Sequence, residues 1–395
     1  MRVLLINHFP LQGSGSGIYT LNIAKELIKR GNEVCVLDVD NMIDEEHYEF
    51  EHRTILFNSK DADLPFNFPC FTTHPRSINT FYNLNNNEML DYIDAFVEYT
   101  KEIVTNFKPD VIHAQHLWIA PYAASLSGVP YVVTAHGTDL MGFKKDKRYR
   151  KYALEGSNNA KFIIAISNQV YDDTTSLYHP AKEKIVIVPN GFDDDIFKMK
   201  NEKKEDVLKK LGTDYLADKI VSFVGKFTDF KGIDILIKAA KIVNKSISNV
   251  GFYLAGDGGL RTDMENLAND LGLKNIIFLG HQTQENVASL YSMADLSVVP
   301  SRIEPFGLVA IEALACGTPV VATNAGGLPD FINEKVGALV EMNNPNALAD
   351  AIISELNNQT KLTKGKYAQK YAIKNYSWDA NLKKVVELYQ KTLSK

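Results

Sequence analysis

LSVVPSRIEPFGLVAIEALACGTPVVAT, residues 296–323, places a longer apolar segment of helical character between two short apolar runs. The outer runs, LSVVP (296–300) and PVVAT (319–323), are near-continuous in apolar character, as strands covered on both faces are. A helix between two such strands is a crossover unit with the strands parallel. Glu304 and Glu312 mark the two ends of the intervening stretch. Pro305 suits a first helical position, and Gly307 leaves the backbone open near the helix start. Free N–H groups there, at the positive end of the helix dipole, form a site for an anion or a hydroxyl. Glu312 falls about two turns on, roughly 10 Å away at ~1.5 Å per residue. That separation suits two acids gripping opposite ends of one elongated ligand. It is too long for an acid and a base working on one bond. A helix cap and an incidental surface glutamate are the simpler alternative.

The same rhythm fills the chain. The first half offers VLLIN (3–7), VCVLD (34–38), DVIHA (110–114), YVVTA (131–135), FIIAI (162–166) and IVIVP (185–189). The second half adds IVSFVG (220–225), GFYLAG (251–256), NIIFLG (275–280) and VGALV (336–340) to the two runs above. Apolar strands alternating with amphipathic helices predict parallel sheets, and two such sets predict two doubly wound Rossmann-like domains. A polar stretch rich in Lys, Glu and Asp, around 198–217, marks the boundary region. The domains are expected to span 1–195 with 375–395, and 196–374. Residues 40–87, Asn- and aromatic-rich with Pro65, Pro69 and Pro75, break the pattern. They read as an insertion on the first domain, a lid or acceptor-binding element.

At 395 residues the chain exceeds one ordinary core, and its 45% hydrophobic and 23% charged content is that of a soluble globular protein. A net charge of −5 gives no reason to expect nucleic acid as a partner. Three scattered cysteines, Cys35, Cys70 and Cys316, fit a reducing cytosol and neither a disulfide framework nor a zinc site. The opening MRVLLINHFP has too short an apolar run for a signal peptide, and no stretch approaches a membrane span. The expected location is cytoplasmic.

Ligands of open parallel sheets sit beyond the carboxyl ends of the strands. Polar and glycine residues collect there: QGSGSG (12–17), HGTD (136–139), KFTDFKG (226–232), DGG (257–259), HQ (281–282) and SRIEPFG (301–307). Two domains aiming such loops at one cleft describe an enzyme working between its halves.

SRIEPFGLVAIEALACGTPVVATNAGG (301–327) resembles the retaining glycosyltransferases of family 4, which have the two-domain GT-B fold. Their signature is a Glu, seven residues, then a second Glu. The resemblance spans nearly the whole chain and is weakest over 40–87. It implies that Glu304 faces the donor sugar's hydroxyls and Glu312 the ribose, with backbone amides of Phe306, Gly307 and Leu308 meeting the sugar and diphosphate. Lys226 and Lys231 would stabilise charge on the departing diphosphate. The family usually carries Arg at the first of these positions; Lys226 keeps the charge and loses the bidentate fork. His136 would lie against the donor sugar near its C6 hydroxyl, with Asp139 as a weaker neighbour. Gly15 and Gly17 would approach the donor phosphates and the acceptor, Asn190 would border the cleft, and Gly256 and Gly258 would admit close backbone approach. His281 and Gln282 fall where the family reads the nucleotide base. YSW (376–378) resembles the start of a final helix that returns to the first domain.

The resemblance therefore implies transfer of a hexosyl group from a nucleoside-diphosphate sugar, a UDP-sugar in the first instance, to a hydroxyl acceptor. No metal or other cofactor is expected, because the acid clusters DVD (38–40), DAD (61–63) and DDD (193–195) read as solvated or capping groups. KKDKRYRK (144–151) has six basic residues in eight positions. It reads as a solvated helix face, an anionic-acceptor contact or a peripheral membrane contact. Two other classes stay open. One is an NAD-dependent oxidoreductase using 12–17 with Asp38 as its ribose acid, although the glycines lack strict G-x-G-x-x-G spacing. The other is a non-catalytic sugar-nucleotide-binding protein.

Overall fold

The computed structural model describes residues 1–43, 46–358 and 361–394, with the side chain of Lys361 left undescribed. The chain divides into two compact units, Met1–Asn190 joined by the chain from Asn381 onward, and Gly191–Ala380.

The first unit is built on a sheet of seven strands: β1 (Arg2–Ile6), β2 (Glu33–Asp40), β3 (Glu51–Leu56), β4 (Val111–Gln115), β5 (Tyr131–Ala135), β6 (Phe162–Ala165) and β7 (Ile185–Ile187). Their order is β3-β2-β1-β4-β5-β6-β7, and every pairing is parallel. Central strands β1, β4 and β5 are buried almost throughout, which explains their unbroken apolar runs. One strand was not expected from the sequence. β3, EHRTIL, lies inside the 40–87 stretch and pairs with β2 from Cys35↔Glu51 to Asp40↔Leu56. It is an edge strand, half-exposed and charged, so it carries no continuous apolar signal. The rest of that stretch adds a two-residue parallel pair, Pro69–Cys70 with Asn79–Thr80.

Helices cover the sheet through one apolar stripe each. In helix Asn86–Phe107, Met89, Tyr92, Ile93, Phe96, Val97, Thr100, Ile103 and Phe107 are buried, a spacing of three and four. Asn85 and Glu88 cap its start reciprocally. The last helix, Trp378–Leu393, sends Tyr389 into the first unit, where its hydroxyl lies 2.7 Å from Nδ1 of His113.

The second unit holds six parallel strands: β8 (Lys219–Val224), β9 (Val250–Ala255), β10 (Ile276–Gly280), β11 (Leu296–Val299), β12 (Val320–Thr323) and β13 (Gly337–Val340). Their order is β10-β9-β8-β11-β12-β13. Val221, Phe223, Leu236, Phe252, Leu254 and Ile352 form the centre of its core. In both sheets the strand order reverses at one point, between β1 and β4 and between β8 and β11. Such a reversal splays the following loops apart and leaves a crevice at the carboxyl ends of the two strands.

Candidate active site

At the reversal in the second unit, the loop after β8 carries Lys226 and Lys231, and the loop after β11 carries Glu304. The structure joins two of these three. Nζ of Lys231 lies 2.6 Å from Oε2 of Glu304, and the Ser301 hydroxyl donates to the same oxygen at 3.2 Å. Glu304 is buried, whereas the Lys231 side chain keeps 24% of its exposure. Lys226 is exposed.

The backbone that holds this pair has little freedom. Gly232 and Gly326 adopt φ of 63° and 54°, and a Cβ on either would overlap a carbonyl oxygen, that of Pro300 or of Glu304 respectively. Gly327 N–H donates to the Glu304 carbonyl at 3.0 Å, and the Thr323 hydroxyl to that of Ser301 at 2.6 Å. Arg302 ties the two loops together, donating to the Asp229 carbonyl at 2.7 Å and to the Asp234 carboxylate at 2.8 Å.

The helix after Glu304 runs Leu308–Ala315 and begins later than Pro305, which lies outside it. Gly307 is its cap residue at φ 105°. The Phe306 ring is core, 5.6 Å from Phe331 and 6.1 Å from Tyr376 between centroids. Only its backbone is left to meet a ligand. Among the described residues, no protein acceptor takes the N–H of Phe306, Gly307 or Leu308. Glu312 is partly exposed and accepts no hydrogen bond from a described residue. Burial beside Tyr291 and Cys316 pushes its carboxyl up to about 8.

That shift has a measurable sign. A carboxyl raised in the folded state binds a proton that the unfolded chain has released, so stability falls as pH rises from about 4.5 towards about 8. Glu312→Gln should abolish this slope, giving a higher melting temperature than the parent at pH 9 and little difference at pH 5. Parallel unfolding scans across that range check it.

The other positions of this unit separate into those open to a ligand and those occupied by the fold. Gly256 (φ 135°) and Gly258 (φ 156°) bring the β9 loop against the β8 loop, where a Cβ would overlap the Gly225 carbonyl or stand 2.6 Å from that of Phe227. Packing alone explains both glycines. The Gln282 amide is engaged, donating to the Leu279 carbonyl at 2.7 Å and accepting from Asn286 at 3.0 Å. His281 is exposed beside Asp257.

In the first unit, His136 follows β5 at the start of helix Thr138–Lys145. Its ring is buried, and Nε2 lies 3.0 Å from Oε1 of Gln115 at the end of β4. Burial, with the neighbouring His116 ring, holds His136 well below the ordinary histidine range, so the imidazole is neutral. Asp139 is fully buried and accepts from the N–H groups of Leu117 at 2.7 Å and His136 at 3.2 Å. Burial pushes Asp139 up, and the His116 ring, the His136 ring and the Leu117 N–H together draw it below the usual carboxylate range.

Gly15 and Gly17 belong to the first turn of helix Gly15–Lys29, capped by the Ser14 hydroxyl, and not to a loop ahead of it. A Cβ on Gly17 would overlap the Pro10 carbonyl, so this glycine answers to packing, while Gly15 faces open space. Asn190 is buried, its Oδ1 has no partner among the described residues, and its carbonyl accepts from Asn381 at 3.1 Å. Asp38 is not a free ribose acid. It accepts from the Thr54 hydroxyl at 2.8 Å and lies 3.1 Å from Nε2 of His52, and burial raises its pKa. Asp40 is likewise buried, paired with Arg76. These two acids are therefore buried and partnered within the fold, Asp40 by a guanidinium, where the sequence suggested solvated or capping ones.

Two family models divide the chain between them: "Glycosyltransferase Family 4" matches residues 13–196 and "Glycosyl transferases group 1" matches residues 205–386. An uncharacterised glycosyltransferase of Methanocaldococcus jannaschii is 30% identical over 307 residues, covering 76% of this chain and 81% of the relative. The chain belongs to glycosyltransferase family 4. A D-inositol 3-phosphate glycosyltransferase of Corynebacterium jeikeium is 28% identical, covering 99% of this chain and 96% of that protein. Among solved structures, Anabaena HepE in complex with UDP and glucose matches with a TM-score of 0.75 at 21% identity, over 99% of this chain and 100% of that one. The fold of this family 4 glycosyltransferase is GT-B.

Three side chains of this glycosyltransferase escaped the sequence reading. Gln115 ends β4 and His116 follows it at the reversal point, and His8 lies beyond β1 there. His8 accepts from the Ala120 N–H at 3.1 Å and bonds the Tyr92 hydroxyl at 2.7 Å. His116 is buried at φ 69°, a backbone region costly for a non-glycine residue; among the described residues neither ring nitrogen makes a hydrogen bond, and Nδ1 stands 4.0 Å from the Asp139 carboxylate. The one available signal was position, directly after the strands that flank the crevice.

The basic run 144–151 is largely spent on the fold of this glycosyltransferase. Lys144 pairs with Asp173 at 3.0 Å, and Lys145 stands 3.9 Å over the Tyr82 ring. Arg148 pairs with Asp146 and donates to the Leu84 carbonyl at 2.6 Å, and Arg150 donates to that of Phe143 at 2.8 Å. No described helix is long and apolar enough to cross a membrane.

Proposed function

We propose that this glycosyltransferase retains anomeric configuration and moves a hexosyl group from a nucleoside-diphosphate sugar, UDP-linked in the first instance, to a hydroxyl acceptor. The observation that carries the reading is the Lys231–Glu304 pair beside the unclaimed N–H groups of Phe306, Gly307 and Leu308. A buried carboxylate whose lysine partner is partly exposed can accept sugar hydroxyls while the lysine and the amides meet phosphate oxygens. Lys226 adds a second cation, so the diphosphate's growing charge can be met by protein groups without a metal. Glu312, with its unoccupied carboxyl, fits the ribose hydroxyls. His136 contributes a neutral imidazole to the transferred sugar, and the leaving phosphate deprotonates the acceptor, so no carboxylate serves as a nucleophile.

UDP and glucose in Anabaena HepE, and the phosphorylated polyol in the name of the Corynebacterium relative, support donor and acceptor classes of this kind. The oxidoreductase reading loses its ribose acid, because Asp38 is committed to Thr54 and His52.

A thermal-shift panel of UDP-, GDP- and ADP-sugars with NADH tests the assignment. A ligand at 100 times its Kd stabilises by about 2.7 kcal/mol. One sugar-nucleotide series should raise the melting temperature, and Glu304→Gln should weaken that shift. Stabilisation by NADH alone would overturn the proposal.

A further inference from the structure

Lys231 ends the single 3-10 turn Asp229–Lys231 that follows β8, and Glu304 lies in the loop after β11. Their 2.6 Å contact therefore depends on how two loops from separate strands are set against each other. The Arg302 guanidinium reaches every segment involved. Nη1 donates to the Asp229 carbonyl at 2.7 Å and to the Asp229 carboxylate at 3.2 Å. Nη2 donates at 2.8 Å to the carboxylate of Asp234, in the first turn of helix Ile233–Val243. Nε donates at 2.7 Å to Oδ1 of Asn343, in the loop after β13. One side chain thus grips the chain on both sides of Lys231 and ties it to a third loop.

The fit is close. The Asp229 carbonyl that takes Nη1 also takes the Gly232 N–H, at 3.2 Å, which closes the turn. Burial pushes the Asp234 carboxyl up, and hydrogen bonds from Arg302 and Lys238 draw it below the usual carboxylate range. Asn343 sits at φ 58°, a region where asparagine is among the better tolerated non-glycine residues. Among the described residues, Arg302 makes no hydrogen bond to Lys231 or Glu304. Joining the two loops does not require the guanidinium, because the backbone N–H groups of Arg302 and Ile303 both donate to the Phe230 carbonyl. Partly exposed ion pairs also add little stability. What the fork alone supplies is the direction in which the turn presents its lysine.

We propose that Arg302 is a positioning residue for the transfer reaction: by holding Asp229, Asp234 and Asn343 on one planar fork, it aims Lys231 so that this lysine and Glu304 meet one sugar nucleotide together. The inference rests on the reading of Lys231 and Glu304 as donor contacts. A cation stabilises developing charge best when it is already in place, and a misplacement of about 1 Å can cost roughly 100-fold in rate. A lysine stem is flexible, so its aim is set by the backbone that carries it.

The full chain is assayed with the sugar nucleotide that stabilises it most in the thermal panel. Arg302→Gln should lower kcat by roughly 10–100-fold. Arg302→Lys should stay within about threefold of that lowered value, because an ammonium keeps the charge and loses the planar fork. In a Lys231→Ala background, Arg302→Gln should cost less than about a further twofold in kcat, while its effect on the melting temperature persists. An arginine that merely stabilised the unit would lower turnover equally in both backgrounds. Asn343→Gly keeps the inference testable should Arg302→Gln fail to fold, since glycine accepts the left-handed backbone and only the Nε acceptor is lost. Its kcat should fall at least about threefold with little change in melting temperature. Wild-type kcat in any of the three single variants, or full multiplication of the two losses in the double variant, overturns the inference and leaves the donor site standing. A wild-type protein that binds no sugar nucleotide in the panel overturns the donor reading beneath it.

Discussion

Lys231→Ala should lower turnover by roughly 10²–10³, the loss expected when a preorganised charge contact to a transition state is removed. Its Nζ sits 2.6 Å from Glu304, so the substitution also leaves a buried carboxylate whose remaining side-chain donor among the described residues is the Ser301 hydroxyl. Removing one partner of a buried pair is strongly destabilising, by about 3–5 kcal/mol in well-enclosed cases, and less here because the lysine is partly exposed. Two effects are thus superimposed, and a second variant separates them. Lys231→Met combined with Glu304→Gln should restore much of the melting temperature, because neither group is then an unpaired charge. It should leave activity as low as either single change. A double variant that recovers turnover along with stability would mean the pair only holds the fold, and the donor site would have to be sought elsewhere.

The second large effect is expected from a residue that contacts no ligand. Gly326 sits at φ 54°, and a methyl there would overlap the carbonyl oxygen of Glu304. Alanine tolerates that backbone angle at a cost of roughly 1–2 kcal/mol. The overlap adds more, because carbonyl oxygens cannot swing aside as a flexible side chain can. Gly326→Ala should therefore destabilise the second unit by roughly 2–4 kcal/mol, a drop of about 5–10 °C in its melting transition. It should also displace Glu304 and cut turnover in the protein that remains folded. Gly272→Ala is the control. Gly272 also has positive φ (71°), but nothing lies within 4 Å of its added carbon, so only the backbone cost should be felt.

Most of the fold could be read from the chain because the strands buried on both faces leave an unmistakable apolar record. Each such apolar run is a strand in the structure, to within two residues at its ends. β3 could not be read this way. Its Glu51, His52 and Arg53 lie on an open edge where no apolar run is required. The glycine-rich stretch 12–17 misled for a related reason. Glycines in a turn and glycines admitting a close helix contact look alike in a sequence, and only the Pro10 carbonyl against Gly17 tells them apart. The acids were sorted equally poorly, because Asp38 and Asp40 depend on His52 and Arg76, which the 40–87 stretch supplies. In the candidate site, charged residues at strand ends were legible through the geometry of parallel sheets. The supporting set was not. Arg302 and Gln115 act through partners distant in sequence, and the type of Ser301, three residues before Glu304, is unremarkable on any loop.

The return of the chain to the first unit after residue 380 bears on how the protein is made. Leu382, Val385 and Leu388 are buried in the finished molecule, and Tyr389 supplies a partner for His113, whose ring burial holds at about 3. At ~5–20 residues per second, synthesis of the whole second unit delays these side chains by roughly 10–40 s. During that interval the nascent amino-terminal sheet lacks part of its cover, and His113 lacks its phenol. The first half to leave the ribosome is consequently the last to be completed, and a premature stop near residue 380 would damage the end of the protein that was translated first.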